Sequence, residues 1–453
     1  MTTPALHLGI DIGTQGVRVV VATSAGVVVD RASSPLVVPA AGDVQEQDPM
    51  AWWSAVVDAV GRLGSSRAAV ASLAVSCTSG SVCAMDGDGS VIGPGLLYAD
   101  RRGVSWNGAD SSWAIAKIAW LAEEHPELVA SIATFTSPGG FVASRLCGTT
   151  AAIDVTQALK FGFDPERSAW DPLPIDADQL PSVVATGDVI GSITSTAAVE
   201  TGLPAGALVV AGATDGVAGQ FACRPSSTRW AVAIGSTIVW KAMAPTRLDR
   251  PDRGIYSHRG PGRWWLPGAA SNAGARVLAQ WADPAVLHSF AEVHLTPAAE
   301  PLYPSVGRGE RFPFLAPDFE PWAVGPLDDR ERYASELVGM ALVERWGRDE
   351  LVAAGCVAPA SVASTGGTVA ARRFLQLRAD VLGVPVEIPS EPSSAFGAAV
   401  VAAAPSLGGV LEAGEQMVSF VDLVEPDPSE SDDWDDAFRR FRDRCVRQLE
   451  GTR

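Results

Sequence analysis

The sequence predicts an α/β fold built from two similar domains, and three observations support this prediction. Residues 6–38 have the pattern of three consecutive strands separated by short Gly-containing turns. The segment VAIGSTIVWKAM, which begins at Val232, echoes IDIGTQGVRVVV at Ile10, and such an echo indicates a duplicated architecture. The 453 residues also exceed what one hydrophobic core usually organises.

The elements of the first half follow from hydrophobic periodicity and turn residues. A helix is expected to start at Asp48-Pro49, because Asp is a favoured N-cap and Pro is tolerated at the first helical position. A second helix is expected over residues 111–130. The predicted strands are LHLGID, VRVVVAT, VVVDRASSPLVV and VASLAVSCT, followed by the hairpin GSVCAMDGDGSVIGP.

The second half begins near residue 205. There GALVVAGATDGVAGQFA predicts a strand, a Gly-rich turn and a helix, and TRWAVAIGSTIVWKAMAP predicts a hairpin. Residues 331–355 have helical periodicity, and VASTGGTVAARRFLQLRADVLGVPVEI predicts strand, turn, helix and strand. After residue 425 the acidic segment EPDPSESDDWDD is expected to be a solvated linker to a last amphipathic helix.

Composition and charge argue against several classes of function. The formal net charge of −18 and the lack of a Lys/Arg-rich block argue against binding to nucleic acid. The N-terminus has no basic region before its apolar run, and SSAFGAAVVAAAPSLGGVL is too weakly apolar to span a bilayer. Six cysteines without a CxxC pair indicate reduced thiols, so we expect a cytoplasmic protein with no membrane partner.

Three turns rich in Gly, Ser and Thr follow predicted strands. Each could be an ordinary β-turn, but three together favour a nucleotide phosphate site, because glycine lets backbone N–H groups converge on an anion. The sequence has no P-loop, GxGxxG or HExxH motif, so such a site would depend on backbone groups, hydroxyls and a metal. The turns are Gly13-Thr14-Gln15-Gly16, Gly235-Ser236-Thr237 and Thr365-Gly366-Gly367-Thr368.

Two acids, Asp11 and Asp215, each stand in a Gly-rich turn at the end of a predicted strand. Asp215 could simply form an Asx-turn or cap a helix. The functional interpretation is a base that takes a proton from a sugar hydroxyl, for which a weak but well-placed group suffices. Asp11 would then lie near Mg²⁺ or the transferred phosphoryl group, which makes both acids candidate metal ligands.

The motifs together resemble a known family, the FGGY carbohydrate kinases, over residues 6–404. The resemblance implies an α/β fold of two ribonuclease-H-like domains of the actin/hexokinase/Hsp70 superfamily, with an interdomain cleft. It also implies ATP and Mg²⁺ as cofactors and a small-molecule sugar as the other substrate. The motifs that carry it are GIDIGTQGVR, LLYADRR, GATDGVAG, AIGSTIV, GERFPFLAPDF and STGGTVAARRFLQLRADVLGVPVEIPSEPSSAFGAAVVA.

The resemblance also implies a division of the chain. We expect a sugar-side domain at residues 1–222 and an ATP-side domain at residues 223–404, each with a mixed five-stranded sheet. Residues 405–453 are expected to form the acidic linker and a helix that packs back on the first domain. The oligomeric state is left open between a monomer and a homodimer.

The resemblance assigns roles residue by residue. Asp215 matches the catalytic base, and Asp11 matches a catalytic residue of the first phosphate loop, near Mg²⁺ or the transferred phosphoryl group. The matches on the nucleotide side are Gly13, Thr14, Gln15, Gly235, Ser236, Thr237, Gly366, Gly367 and Ala371. The matches on the sugar side are Ser79, Asp100 and Arg102, together with Asp215.

This sequence departs from the family at the adenosine-binding turn. Thr368 stands where the family has a third glycine, Ala371 where it has a polar residue, and Phe374 where it has tryptophan. These changes predict weaker binding of ATP or a relaxed preference for the base.

Within the family, IDVTQALKFGFDPE, SNAGARVLAQW and LYPSVGRGERFPF look most like the D-ribulose kinases. The expected reaction is therefore ATP-dependent phosphorylation of the terminal primary hydroxyl of a pentulose, with D-ribulose giving D-ribulose 5-phosphate. The alternatives are a kinase for D-xylulose or a polyol such as ribitol, and a catalytically weak regulator that binds sugar or nucleotide.

Overall fold

The computed structural model describes residues 5–38, 42–290, 293–297, 301–322, 327–366 and 371–451. The chain divides into two compact units, which are described one at a time. The first contains residues 1–224, 258–263 and 393–418, and the second contains residues 225–257, 264–392 and 419–453.

The first unit is built on a six-stranded sheet in the order β13-β14-β5-β1-β2-β3. A second sheet has the order β4-β7-β6-β8, and the pairs β10-β11 and β12-β9 are separate. The strands are β1 (Leu6–Gly13), β2 (Gly16–Thr23), β3 (Val28–Pro35), β4 (Glu46–Gln47), β5 (Val70–Cys77), β6 (Val82–Met85), β7 (Val91–Leu96), β8 (Thr134–Thr136), β9 (Ile153–Asp154), β10 (Phe163–Asp164), β11 (Ala169–Trp170), β12 (Val183–Val184), β13 (Val189–Ser192) and β14 (Leu208–Val210).

Seven helices accompany these strands within residues 49–221 of the described chain. Asp48 caps the first of them as predicted, since its carboxylate accepts a hydrogen bond from the Met50 amide. The single helix expected over residues 111–130 is divided at His125, because Pro126 starts a new turn. The helices are α1 (Pro49–Gly61), α2 (Ala114–Glu124), α3 (Pro126–Val129), α4 (Pro138–Cys147), α5 (Val155–Ala158), α6 (Ser195–Thr201) and α7 (Asp215–Phe221).

The second unit is built on a seven-stranded sheet in the order β17-β18-β16-β15-β19-β20-β21, in which the last two residues of β17 are grouped with the first unit. Its strands are β15 (Arg229–Ile234), β16 (Ile238–Lys241), β17 (Tyr256–Arg259), β18 (Trp265–Ala270), β19 (Ser361–Thr365), β20 (Val386–Pro389) and β21 (Phe420–Val424). The remaining helices of the chain are α8 (Pro284–Ser289), α9 (Asp329–Ala353), α10 (Arg372–Leu382), α11 (Ser394–Leu407), α12 (Val410–Met417) and α13 (Ser431–Gly451). Short 3₁₀ turns lie at Ser65–Ala69, Leu159–Phe161, Ala177–Gln179, Pro251–Arg253, Ala275–Gln280 and Pro428–Glu430.

Both main sheets contain the same five-stranded pattern. In the first, β1 pairs antiparallel with β2 and parallel with β5, β2 pairs antiparallel with β3, and β5 pairs parallel with β14. In the second, β15, β16, β18, β19 and β20 repeat these directions. The repeat confirms the duplicated α/β architecture. The five-stranded prediction was too small, since β13 extends the first sheet and β17 and β21 extend the second.

Helix α11 belongs to the first unit, although it is distant in sequence from the rest of that unit. It crosses β1 at Gly9, where an added Cβ would lie 1.8 Å from the Ala395 carbonyl oxygen. It also approaches α7 so closely that a Cβ at Gly397 would lie 1.7 Å from the Ala218 oxygen. Glycine at both positions is therefore what allows the helix to lie on the sheet.

The predicted placement of the C-terminal region was wrong in two respects. Helix α11 lies in the first unit instead of ending the second domain. Helix α13 packs in the core of the second unit instead of on the first, through Trp434, Phe438 and Phe441. The Phe441 ring stacks on the Tyr303 ring with centroids 6.0 Å apart, so the apolar face of α13 is buried in the core of the second unit.

The acidic segment after residue 425 is also more ordered than a linker. Helix α13 already begins at Ser431, and Asp432 and Asp433 lie in its first turn. Carboxylates are favourable there because the N-terminal end of a helix carries partial positive charge.

No single helix in the described ranges is both long and apolar enough to cross a membrane. Helices α11 and α12 meet that criterion only as a pair, and the chain bends by 113° between them.

The packing of α11 on β1 predicts a strong effect of one added methyl group. Gly9→Ala should destabilise the protein by more than about 3 kcal/mol, because the new Cβ meets backbone that cannot rotate away. Gly61→Ala is the matched control, since nothing lies within 4 Å of its Cβ position, and it should be neutral or slightly stabilising. Thermal unfolding of both variants measures the difference, and equal midpoints would contradict this account of the helix–sheet contact.

Candidate active site

The first predicted phosphate turn connects β1 and β2. Gly13 and Gly16 pair across it, and Thr14 and Gln15 form its two-residue tip. The tip is held by two hydrogen bonds: the Gln47 Nε2 group donates to the Thr14 carbonyl at 2.9 Å, and the Leu36 amide donates to the Gln15 carbonyl at 3.0 Å. The turn is thus fixed through its carbonyl groups.

Asp11 lies near the end of β1 and is 5% exposed. Its Oδ1 accepts a hydrogen bond from the Ser76 hydroxyl at 3.0 Å, and its Oδ2 lies 3.7 Å from Arg18 Nη1 on β2. Burial and the negative charge of Asp215 raise the pKa of Asp11 to about 6, against the opposing effects of Ser76 and Arg18. The two predicted acids therefore interact electrostatically.

Asp215 is the first residue of α7 and is half-buried. The backbone reaches it beyond the end of β14, where Thr214 forms an isolated parallel bridge with Cys77 at the end of β5. The Asp215 Oδ1 atom accepts a hydrogen bond from the Gly216 amide at 2.7 Å. Since β1, β5 and β14 are parallel, their carboxyl ends share one edge of the sheet, and this edge holds both acids.

Asp100 and Arg102 form a tight pair. The Asp100 side chain is fully buried, and its two oxygens accept from Arg102 Nε at 3.1 Å and Arg102 Nη2 at 2.7 Å, while the Gln45 amide donates at 2.8 Å. Burial alone would raise the pKa of Asp100, but these hydrogen bonds outweigh it and hold the pKa below its usual value. Arg102 also contacts Glu46 at 2.6 Å and lies over the Trp120 ring.

Ser79 lies in the turn between β5 and β6. Its Oγ is buried and has no hydrogen-bond partner among residues 5–38, 42–290 and the later described segments. The neighbouring Thr78 is fixed, because its amide donates to the Ile12 carbonyl at 3.3 Å and its hydroxyl pairs with Ser81 at 2.8 Å. Below the turn, the buried Lys117 ammonium donates to the Gly80 carbonyl at 3.3 Å. A buried hydroxyl without a partner is uncommon in folded proteins and calls for an explanation.

The second phosphate turn lies in the second unit between β15 and β16. Its Gly235 amide donates to the Thr237 carbonyl at 3.0 Å, and its Gly235 carbonyl accepts from the Ala275 amide at 2.8 Å. Gly366 follows β19 with a φ of +96°, and a Cβ there would lie 2.3 Å from the Ile234 oxygen. The structure therefore brings Gly366 close to Ile234, the residue before the Gly235-Ser236-Thr237 turn.

Two further positions complete the nucleotide-side prediction. Gly367 lies outside the described residues. Ala371 precedes α10 as its N-cap residue, and its methyl side chain makes no hydrogen bond there.

A buried carboxylate braces the second turn indirectly. Glu310 is 2% exposed and accepts from the Ser271 hydroxyl at 2.8 Å, the Asn272 amide at 2.7 Å and the Tyr303 hydroxyl at 2.7 Å. The loop that it holds continues to Ala273, whose carbonyl accepts from the Ile238 amide next to the turn.

Sequence reasoning missed several residues that organise the first unit's site. Glu46 and Gln47 are neighbours on β4, and one contacts Arg102 while the other holds Thr14. The alternation of side chains along a strand explains why two adjacent residues serve two parts of the site. Trp120 and Lys117 come from α2, where helical periodicity indicated only core packing.

The described residues contain no group of three or more His, Cys, Asp or Glu side chains that could hold a metal. Asp11 and Asp215 nevertheless fit Mg²⁺, which is commonly held by one or two carboxylates with substrate phosphates and water completing its shell.

Family models cover most of the chain. The N-terminal domain of the FGGY family of carbohydrate kinases matches residues 6–112 and 107–222, and its C-terminal domain matches residues 231–405. The chain belongs to the FGGY family of carbohydrate kinases. It is accordingly a kinase of the two-domain, actin/hexokinase-like fold, as the resemblance implied.

Relatives of this FGGY kinase carry different names. The xylulose kinase of Escherichia coli K12 is 25% identical over 420 residues, covering 83% of this chain and 85% of that protein. The autoinducer-2 kinase of the same strain is 25% identical over 362 residues, covering 72% and 67%. The solved "xyloylose kinase" of Brucella ovis superimposes with a TM-score of 0.88 at 21% identity, covering 96% of this chain and 98% of that one.

Asp11 and Asp100, both in the first unit of this kinase, should change the stability of the protein in opposite directions when their charge is removed. The folded pKa of Asp11, about 6, lies above its ordinary value of 3.8, so ionisation destabilises the fold and stability is lost as pH rises through that window. Asp11→Asn should therefore increase the free energy of unfolding at pH 8 by about 2 kcal/mol and raise the thermal midpoint. Both increases should vanish near pH 4.

Asp100→Asn is the matched comparison. Because the folded pKa of Asp100 is lowered, its charge stabilises the protein above the unfolded pKa, and the variant should have a lower midpoint at pH 8. Thermal scans without nucleotide or Mg²⁺ compare the variants, and a shift of the same sign for both would refute this description of their environments.

Proposed function

We propose that this FGGY kinase transfers the γ-phosphoryl group of ATP to the terminal primary hydroxyl of a pentulose, with D-ribulose as the first candidate. The observation that carries the proposal is the placement of Asp11 and Asp215 at one edge of the first sheet, where the carboxyl ends of the parallel strands β1, β5 and β14 meet. A half-buried carboxylate near a second, buried one suits phosphoryl transfer, which needs a positioned base and a group that can hold Mg²⁺ near the phosphates.

The proposed chemistry begins with Asp215, which accepts the proton of the sugar hydroxyl. The freed oxygen attacks the γ-phosphorus in line, the bond to the β,γ-bridging oxygen breaks, and ADP leaves. Because the transition state is loose, positioning matters more than the strength of the base. The partial exposure of Asp215 supports this role, since a base must reach its substrate.

The nucleotide side of the proposal uses both predicted turns. Backbone N–H groups of the 13–16 turn, with the Thr14 hydroxyl and Gln15, would stabilise the transferred group. The second unit would contribute Gly235, Ser236, Thr237, Gly366, Gly367 and Ala371 to binding of the remaining nucleotide. Asp11 and Asp215 would hold Mg²⁺, which supplies positive charge to neutralise the phosphate oxygens when bound.

The sugar side involves Ser79, Asp100 and Arg102. The unpaired Ser79 hydroxyl is suited to a sugar hydroxyl, because a buried polar atom without a partner costs free energy until a ligand pairs with it. Asp100 is fully buried and its oxygens are occupied, so we propose that it acts through Arg102.

D-Xylulose is the second candidate. It is favoured by the names of the relatives, since proteins at 25% and 26% identity are xylulose kinases. The two sugars differ only in configuration at one carbon, and the difference is too small for the fold to decide.

A coupled assay of ADP release with D-ribulose, D-xylulose, L-ribulose, ribitol and glycerol tests the proposal. We expect D-ribulose to give the highest kcat/KM and ADP release to require sugar.

Asp215→Asn should lower kcat by about 10³-fold while nucleotide binding persists, because the base is lost and the fold is kept. Near-normal turnover of this variant would exclude Asp215 as the base, and a higher kcat/KM with D-xylulose would transfer the assignment to that sugar.

The role of Ser79 gives a separate prediction. Ser79→Ala should raise the KM for the pentulose about tenfold and leave the KM for ATP unchanged, because one hydrogen bond to the sugar is removed. Steady-state kinetics with each substrate varied in turn measures both constants. An equal rise in both, or in neither, would remove Ser79 from the sugar site.

A further inference from the structure

The segment 153–157 lies against the residues that precede Asp215. It comprises β9 and the first residues of α5, and Asp154, Thr156 and Gln157 are each at most 4% exposed. Asp154 caps α5 by accepting from the Thr156 amide at 2.8 Å and the Gln157 amide at 3.1 Å. Buried polar side chains at this density need a reason beyond hydrophobic packing.

The Thr156 hydroxyl is hydrogen-bonded to an acceptor on one side and to a donor on the other. It donates to Asp154 Oδ1 at 2.5 Å and accepts from the Thr214 amide at 2.9 Å. Burial raises the pKa of Asp154 to about 6, so at pH 8 the side chain is a carboxylate that can only accept. The hydroxyl proton is thereby committed to Asp154, and the oxygen lone pairs are left for the Thr214 N–H.

Gln157 holds the preceding peptide. Its Nε2 donates to the Ala213 carbonyl at 3.2 Å and contacts Cys77 Sγ at 3.0 Å. Two consecutive side chains thus fix the carbonyl of Ala213 and the amide of Thr214, the last backbone groups before the proposed base. These hydrogen bonds hold the backbone, and the position of the backbone determines where the Asp215 side chain begins.

We propose that Thr156, oriented by Asp154, is a positioning residue that sets the placement of Asp215 for proton transfer. The inference rests on the proposed function, because it requires Asp215 to be the base. Without the hydroxyl, the Thr214 amide loses its hydrogen bond to Thr156, so the backbone before Asp215 is held less firmly although Cys77 and Gln157 still contact it. A displacement of about 1 Å in a reacting group lowers the rate by up to about 10²-fold with little change in substrate affinity.

The test compares Thr156→Val, which removes the hydroxyl at nearly equal volume, with Thr156→Ser, which keeps it. We expect Thr156→Val to lower kcat by about 10- to 100-fold with sugar and ATP KM values within about threefold of wild type. Thr156→Ser should retain kcat within about threefold. A kcat loss shared equally by both variants, or a Val variant with normal kcat, would overturn the proposal.

Thr201→Val is the matched control for stability. The Thr201 hydroxyl is also buried, donates to the Ala197 carbonyl at 2.7 Å and accepts from the Leu203 amide at 3.2 Å, but it lies in α6. This variant should lower the thermal midpoint as Thr156→Val does and leave kcat unchanged. A comparable loss of kcat in Thr201→Val would show that general destabilisation explains the effect, and the proposal would fall.

A second background separates this inference from the proposed function. In the Asp215→Asn protein, Thr156→Val should lower the residual rate no further, since residues that act through one group are not additive. A further tenfold loss would place Thr156 in some other role. If Asp215→Asn lowers kcat and Thr156→Val does not, only the positioning role fails. If neither single variant lowers kcat, the proposed base fails as well.

Should Thr156→Val not fold, Asp154→Asn keeps the shape of the cap and weakens its hold on the hydroxyl. We expect this variant to lower kcat by about threefold to tenfold at unchanged KM. Wild-type kcat in a folded Asp154→Asn protein would count against the proposal.

Discussion

The carboxylates of Asp11 and Asp215 lie at the carboxyl edge of the first sheet. The first unit keeps them there although burial and mutual repulsion both disfavour their charged forms. Both effects raise the pKa of Asp11, so keeping the pair ionised costs folding free energy. The surrounding structure is correspondingly rigid: β1 is buried along most of its length, and α11 closes on it at Gly9. The proposed chemistry therefore depends on a closely packed sheet edge that keeps the two carboxylates near each other.

The two units share a strand pattern but differ in the chemistry at the matching turn. In the first unit, a carboxylate on β1 and another on α7 accompany the turn. In the second, the corresponding turn is neutral and its support comes from the loop that Glu310 holds. The two units thus share the hairpin turn, while the carboxylates at that turn occur in the first unit, which fits the proposed division between acceptor activation and nucleotide binding.

Much of the fold could be predicted because its signals are local. Hairpin glycines, the Asp48 cap and strand periodicity are readable within a dozen residues, and the same holds for Asp11 and Asp215 in their turns. What escaped prediction depends on contacts across long sequence separations: α11 with β1, Thr156 with Thr214, and Glu46 with Arg102. Such residues look like ordinary core or cap residues until the backbone that they meet is known.

The path of the chain has a consequence for how the protein is made. After residue 224 the polypeptide contributes only residues 258–263 to the first unit until residue 393, where it returns to add α11 and α12. During synthesis, the first sheet emerges early but lacks the helix that covers β1 until more than four-fifths of the chain has been translated. An apolar sheet face must therefore stay soluble through that interval, so the early nascent chain is the stage at which chaperone protection matters most.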